Sequence, residues 1–202
     1  MSLLMATSCG ASSNRTNTNN ENTETNMENG SKKSIVVYYS RRGTNYLNGA
    51  IVDLKIGNTE VVAGKIQTLT GSDIFRIETV KAYPADYTET TEVAKRELDE
   101  NARPELTAGI ENMEQYDVIY LGYPNWWGTY PMAVATFLDS YDFSGKTIIP
   151  FCTHEGSALG SSVRDIKKAV PGATVLDGLA IKGGNVNSSD KVIEDWINSN
   201  RK

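Results

Sequence analysis

Cysteine and histidine are scarce in this chain of 202 residues, which has two of the first, Cys9 and Cys152, and one of the second, His154. Two cysteines in such unlike contexts, a polar leader and the end of an apolar run, support neither a disulfide framework nor a metal site. Long apolar runs are missing as well. None approaches the ~18 residues needed to span a bilayer. Positive charge is also short: 20 lysines and arginines face 25 aspartates and glutamates, for a net charge of −5. In residues 1–33 the basic Arg15, Lys32 and Lys33 balance Glu21, Glu24 and Glu28, so the acidic excess belongs to the body. Such a body argues against nucleic acid as the main partner and is compatible with docking on basic protein patches.

Residues 1–33 hold almost nothing to bury, being mostly Asn, Thr, Ser and Glu beyond Ser12, and are expected to be a disordered polar leader. Within them Leu4-Met5-Ala6-Thr7-Ser8-Cys9 is similar to a bacterial lipoprotein cleavage box. That pattern would lipidate Cys9, turn the polar run into a tether and put the protein at an extracytoplasmic membrane face. No basic n-region precedes it, and the apolar stretch is shorter than a secretory one. The other reading is a floppy N-terminus in the cytoplasm. Both stay open, and the fold is read from residues 34–202.

The body alternates strand and helix signals. Strands are expected at Ser34–Ser40, Asp73–Glu78, Asp117–Gly122, Thr147–Cys152 and within Ala173–Ile181, where Gly178 marks an irregularity. Helical faces fall on Val62, Ile66 and Leu69, then on Tyr87, Ala94, Leu98 and Ala102 behind the capping box Asp86-Tyr87-Thr88-Glu89. Others fall on Val134, Phe137, Leu138 and Tyr141 within Met132–Tyr141, on Leu159, Val163, Ile166 and Val170, and on Ile193, Trp196 and Ile197. Five strands alternating with five helices give an open α/β fold with a parallel sheet. Ligands of such sheets bind outside the carboxyl ends of the strands. Three loops at that edge stand out.

The first runs from Arg41 to about Ile56, where about 2–6 residues are usual. It contains Asn48-Gly49 flanked by apolar residues, the signature of a tight hairpin, so a small β-hairpin is expected there, projecting over the carboxyl edge. The helix that follows starts at Gly57-Asn58-Thr59. Its free N–H groups and dipole favour an anion, with hydroxyls from Ser40 and Thr59 and charge from Arg41 and Arg42 to help. The second loop, Gly122 to Pro131, carries two prolines, two glycines and the adjacent Trp126 and Trp127; Pro131 suits the first turn of the next helix. A flat apolar wall for a planar ligand explains this better than core packing does. The third loop, Thr153 to Gly160, holds His154. A histidine with no carboxylate partner legible in the sequence is more economically a backbone-bonded loop residue than a proton donor. Cys152 ends an apolar strand as a small core residue.

Together, Tyr39-Ser40 with Gly57-Asn58-Thr59, then Pro124-Asn125-Trp126-Trp127-Gly128, then Phe151-Cys152-Thr153-His154-Glu155-Gly156 resemble the flavodoxin family, in a bacterial branch with an expanded first loop. The resemblance covers about residues 35–183. It implies a flavodoxin-like three-layer sandwich: a five-stranded parallel sheet of order 2-1-3-4-5, helices on both faces, and the hairpin inserted after the first strand. It also implies that residues 34–202 form a domain that binds flavin mononucleotide (FMN). The phosphate would sit on Ser40, Arg41, Gly57, Asn58 and Thr59. The ring would lie between Pro124, Asn125, Trp126, Trp127 and Gly128 on one side and the loop Thr153-His154-Glu155-Gly156 on the other. The hairpin splits Ser40 from Gly57, whereas flavodoxins close this loop in a few residues. Acidic surroundings and an indole wall would give a low reduction potential. Two functions follow. One is an electron carrier between redox partner proteins. The other is a small FMN-dependent NAD(P)H oxidoreductase acting on quinones or azo compounds, with a nicotinamide donor. A flavin-free binding module that keeps the fold is a third.

Overall fold

The computed structural model describes residues 32–200, so the leader, with Cys9, lies outside the described residues. The described residues begin with β1 (Ser34–Tyr39), followed by the hairpin strands β2 (Gly43–Leu47) and β3 (Ala50–Leu54) and by α1 (Asn58–Thr70). Then come β4 (Asp73–Ile77), α2 (Tyr87–Asp99), β5 (Val118–Pro124), α3 (Met132–Asp139), β6 (Thr147–His154) and α4 (Ser162–Ala169). Two short strands, β7 (Thr174–Val175) and β8 (Leu179–Lys182), precede α5 (Asp190–Asn200). The main sheet is parallel, in the order β4-β1-β5-β6-β7, with β8 also on β6. With the hairpin set aside and β7 and β8 taken as one interrupted edge, this is the 2-1-3-4-5 order.

The interruption has a local cause. β6 advances three residues, Ile148 to Phe151, while its partner advances four, Val175 to Leu179. The extra residue lies opposite Pro150, which has no N–H for a ladder bond. Gly178 fits here because a Cβ would press on Leu159 and on the Pro150 carbonyl.

Alternation along the strands fills two cores. Ile35, Val37 and Tyr39 of β1 pack with Ile119, Leu121, Ile148 and the residues of α3, while Val36 and Tyr38 pack with Tyr120, Ile149, Phe151 and the apolar faces of α1 and α5. Some residues of the expected helical faces lie elsewhere: Ala102, Tyr141, Leu159 and Val170 fall just outside α2, α3 and α4. Leu69 is 41% exposed, and Ala63 joins Val62 and Ile66 in the buried face of α1 instead. Ile74 is 39% exposed because β4 is an edge strand. Tyr87 stands at the first position of α2 and faces the sheet's carboxyl edge, not the core. The predicted cap is in place: the Asp86 carboxylate accepts the Glu89 N–H at 2.9 Å. The hairpin also forms as expected, with Asn48 and Gly49 at φ of 50° and 90°, the left-handed pair that a two-residue turn demands.

Candidate functional site

Parallel strands deliver their loops to one edge, and here β1, β5 and β6 end around a cleft of two joined compartments. The narrow one, about 130 Å³, is lined by Ser40, Arg41, Asn58, Thr59, Pro124, Asn125, Trp126, Thr153 and His154, together with Glu155, Tyr87 and the hairpin's Asn45, Tyr46 and Leu54. At ~30 Å³ per water, that is room for a phosphate-sized group. The wide one, about 420 Å³, lies between the tryptophan turn and the Tyr87, Thr90, Thr91 and Ala94 side of α2, and takes in Gly128 and Ser157. Its size is within the range of small-molecule sites, about 300–1,000 Å³.

The start of α1 forms the narrow end. Gly57 is its N-cap and has no side chain to cap with, so the Ser40 hydroxyl does so from β1, accepting the Glu60 N–H at 3.1 Å. This also brings Ser40 against Gly57 across the sixteen-residue hairpin excursion, so tightly that a Cβ on Gly57 would strike the Ser40 hydroxyl and the Arg41 carbonyl. The N–H groups of Asn58 and Thr59 remain without a partner among the described residues. They point out of the positive end of a 13-residue helix. The Thr59 hydroxyl shares a 2.8 Å hydrogen bond with that of Thr153, tying α1 to the end of β6. Neither Arg41 nor Arg42 is a free phosphate ligand. The Arg41 guanidinium donates to the carbonyls of Thr44, Pro84 (2.8 Å), Ala85 (2.7 Å) and Asp86 (3.3 Å), which anchors the hairpin's base to the loop before α2. Partial burial lowers its pKa. Arg42 pairs with Glu60 at 2.7 Å, outside both compartments.

The two tryptophans part company. Trp126 reaches inward into an edge-to-face cluster with Tyr39 and Tyr83, at centroid distances of 5.4 and 5.1 Å. The Tyr83 hydroxyl donates to Glu97 at 2.6 Å, and burial raises the pKa of both groups. Trp127 occupies a left-handed turn position, φ 54°, beside Gly128 at φ 86°. It is 55% exposed, and its Nε1 donates to the Thr91 carbonyl at 2.9 Å. Trp127 and Gly128 therefore border the wide compartment only. Asn125 acts as a brace: its Oδ1 accepts the Gly128 N–H and its Nδ2 donates to the Ala158 carbonyl. Asp165 of α4 accepts from the hydroxyls of Thr129 and Ser161, and the Gly128 carbonyl accepts the Ser161 N–H at 2.7 Å. The second and third loops are thus one rigid unit.

Thr153 and His154 belong to β6 and not to a loop. His154 Nδ1 accepts the Gly156 N–H at 3.0 Å, and burial, with Lys182 adding to it and Glu155 opposing it, lowers its pKa. That leaves the ring neutral with its proton on Nε2. Gly57 and Gly156 shape the backbone without lining either compartment. Cys152 is buried and its thiol is pushed up to about 12, so it is a core residue and not a nucleophile. Among the described residues no group of three or more His, Cys, Asp or Glu is placed to hold a metal, and no helix is long and apolar enough to cross a membrane.

Sequence reasoning missed Asn45, Tyr46, Leu54 and Tyr87 as lining residues. Tyr46 and Tyr87 stack at 6.2 Å with planes 29° apart, closing the hairpin over the cleft. The Asn-Gly turn revealed the hairpin, but only its position in space shows which of its residues face inward.

The family model described as flavodoxin matches residues 52–200, beginning inside the hairpin, so β1 and the Ser40 turn lie outside the match. A candidate flavoprotein from Bacteroides uniformis ATCC 8492 has a similar structure, with TM-score 0.65 and 26% identity over 83% of this chain and 98% of that one. Another, from Bacteroides eggerthii DSM 20697, gives TM-score 0.63 and 27% identity over 81% and 98%. A flavoprotein in complex with FMN from Lactobacillus acidophilus NCFM gives 0.58 and 22% over 78% and 98%, a likeness of fold. Among curated proteins none matches.

Proposed function

The chain belongs to the flavodoxin family, and on that premise we propose that its cleft holds FMN and that the protein carries one or two electrons between redox partner proteins. One observation carries this most: a helix N-terminus with two unclaimed N–H groups opens into a phosphate-sized space, which continues into a larger one floored by Trp126. The donor set fits a phosphate monoester, with Asn58 and Thr59 offering N–H groups and Thr59 and Thr153 offering hydroxyls. Trp126, fixed by Tyr39 and Tyr83, presents an apolar wall for a planar ring, while Trp127 screens the outer side. FMN, when bound, supplies the electron storage. The protein's part is to orient the ring, keep His154 neutral beside it and limit water. In the narrow compartment Arg41 and Glu155 offset each other, so a low reduction potential rests chiefly on the indole wall.

The carrier role and an NAD(P)H oxidoreductase role separate in one experiment. The protein as purified should be yellow, with FMN identified on release of the chromophore. Mixing it anaerobically with NADH or NADPH should leave the flavin absorbance unchanged over minutes. Rapid bleaching would instead make the nicotinamide its donor and quinones or azo compounds the acceptors to test.

A further inference from the structure

The hairpin lies as a strap across the cleft, and all but one of its borders are taken. The Asn48 N–H at its tip donates to the Glu155 carboxylate at 3.0 Å. Along β2 the Thr44 hydroxyl donates to the Ala85 carbonyl, and Tyr46 stacks on Tyr87. The outer edge of β3 is the exception. Closure by a two-residue turn makes Leu47–Ala50, Asn45–Val52 and Gly43–Leu54 the pairs that exchange ladder bonds, and Tyr46–Ile51 and Thr44–Asp53 the pairs that do not. The backbone N–H and C=O groups of Ile51 and Asp53 therefore point away from β2, and they have no partner among the described residues. Ile51, Asp53, Lys55 and Ile56 are all exposed, the two isoleucines by more than half. Neither Asp53 nor Lys55 takes part in an ion pair among the described residues.

We propose that this edge docks a second copy of the chain, the two β3 strands pairing antiparallel about a two-fold axis at Leu54. The order of residues selects both the partner and the register. Val52-Asp53-Leu54-Lys55-Ile56 runs apolar, acidic, apolar, basic, apolar, and reversed it runs apolar, basic, apolar, acidic, apolar. Laid antiparallel on itself, it sets Asp53 opposite Lys55 of the second copy twice. It also sets Val52 opposite Ile56 twice and Leu54 opposite its own equivalent. The other registers that join outward backbone groups are worse. Centred on Asp53, the pairing opposes two carboxylates; centred on Val52, it sets Ile51 against Asp53; centred on Ile51, it leaves Asp53 facing Gly49. β3 ends at Leu54, so the pairing lengthens it by two residues. Charges on an edge ordinarily repel a foreign strand. Here opposite charges two residues apart admit a copy of the same strand and penalise others. Two straps joined in this way form a four-stranded sheet. The contact is short beside a standard interface, so the dimer is weak and its population follows concentration.

The test is sedimentation velocity of the full chain over a concentration series from about 1 to 500 μM, for the natural sequence, Asp53→Lys, Lys55→Asp and the double exchange. The natural chain should pass from monomer toward dimer across the series. Each single reversal should weaken dimerisation about tenfold, because two ion pairs become two like-charge contacts. The double exchange restores opposite signs at both places and should recover the natural dimer. An equimolar mixture of the two single variants should also dimerise, since each supplies the charge that the other lacks. Both substitutions fall on exposed side chains, and unchanged far-ultraviolet dichroism checks that each variant is folded. A natural chain that stays monomeric throughout overturns the proposal. So does a dimer that the reversals leave unchanged, or one that neither the double exchange nor the mixture rescues, because its contact would then lie elsewhere.

Discussion

Trp127 and Gly128 share one turn but not one cost. A tight turn with both central residues at positive φ suits Gly128, whereas the side chain of Trp127 is strained there, by about 1–3 kcal/mol. The bond from its indole N–H to Thr91 and the grip of Ser161 on the Gly128 carbonyl hold it in place. The strain has a geometric result: it turns Trp127 outward, so that Trp126 alone enters the aromatic cluster. The two indoles are therefore unequal as ligand walls. A stacked aromatic pair contributes roughly 0.5–1.5 kcal/mol beyond area burial, so Trp126→Ala should weaken FMN binding by about two- to tenfold. Trp127→Ala should change it less, because Trp127 borders only the wide compartment and is more than half exposed. Equal losses in a fluorescence titration would contradict this division.

At the scale of elements, the hairpin and α1 act together. The hairpin carries its own antiparallel ladder from Gly43–Leu54 to Leu47–Ala50, and the main sheet's ladder does not use it. Its role is to cover. Replacing residues 46–55 with a short glycine linker should leave the far-ultraviolet dichroism and the cooperative unfolding of the sheet intact. The same change should speed flavin release several-fold, as measured by dilution into excess apo-flavoprotein. Loss of cooperative folding would mean that the strap is part of the core. Ser40 explains why so long an insertion is tolerated here. By capping α1 from the end of β1, it fixes both ends of the excursion at one point, and the entropy of closing a longer loop grows only slowly with length.

For the whole molecule, charge and acidity meet at His154. Its depressed pKa means that the folded protein favours the neutral ring, so the unfolded chain binds more protons as the pH drops through the ordinary value of 6.5. The stabilisation is complete above that value and is lost as the pH falls through the lower, folded-state pKa. Denaturant unfolding of the natural protein and of His154→Asn, compared on both sides of pH 6.5, should show a gap that shrinks on acidification. A gap that widens would reverse the sign and imply a buried acidic partner for the ring.

The sequence by itself determined the layered α/β architecture. Each strand and helix announces itself by local periodicity, and two faces of alternating apolar residues leave a parallel sheet little choice but to be covered on both sides. It also revealed the hairpin, since Asn48 and Gly49 favour left-handed backbone whatever surrounds them, and it located the three loops that meet at the cleft. Tertiary structure alone decided which atoms in those loops are available. Arg41 looks like a free anion ligand until four carbonyls surround its guanidinium, and Asn125, which lines both compartments, has both ends of its amide bridging two loops. Tyr87 reads as a core residue because helical spacing cannot tell the first turn's end-on direction from the buried face. Glu155 is an ordinary loop acid until the hairpin tip, over a hundred residues earlier, arrives above it. Periodicity reports which side of an element is apolar; hydrogen-bond partners far apart in the chain are set only when the elements pack.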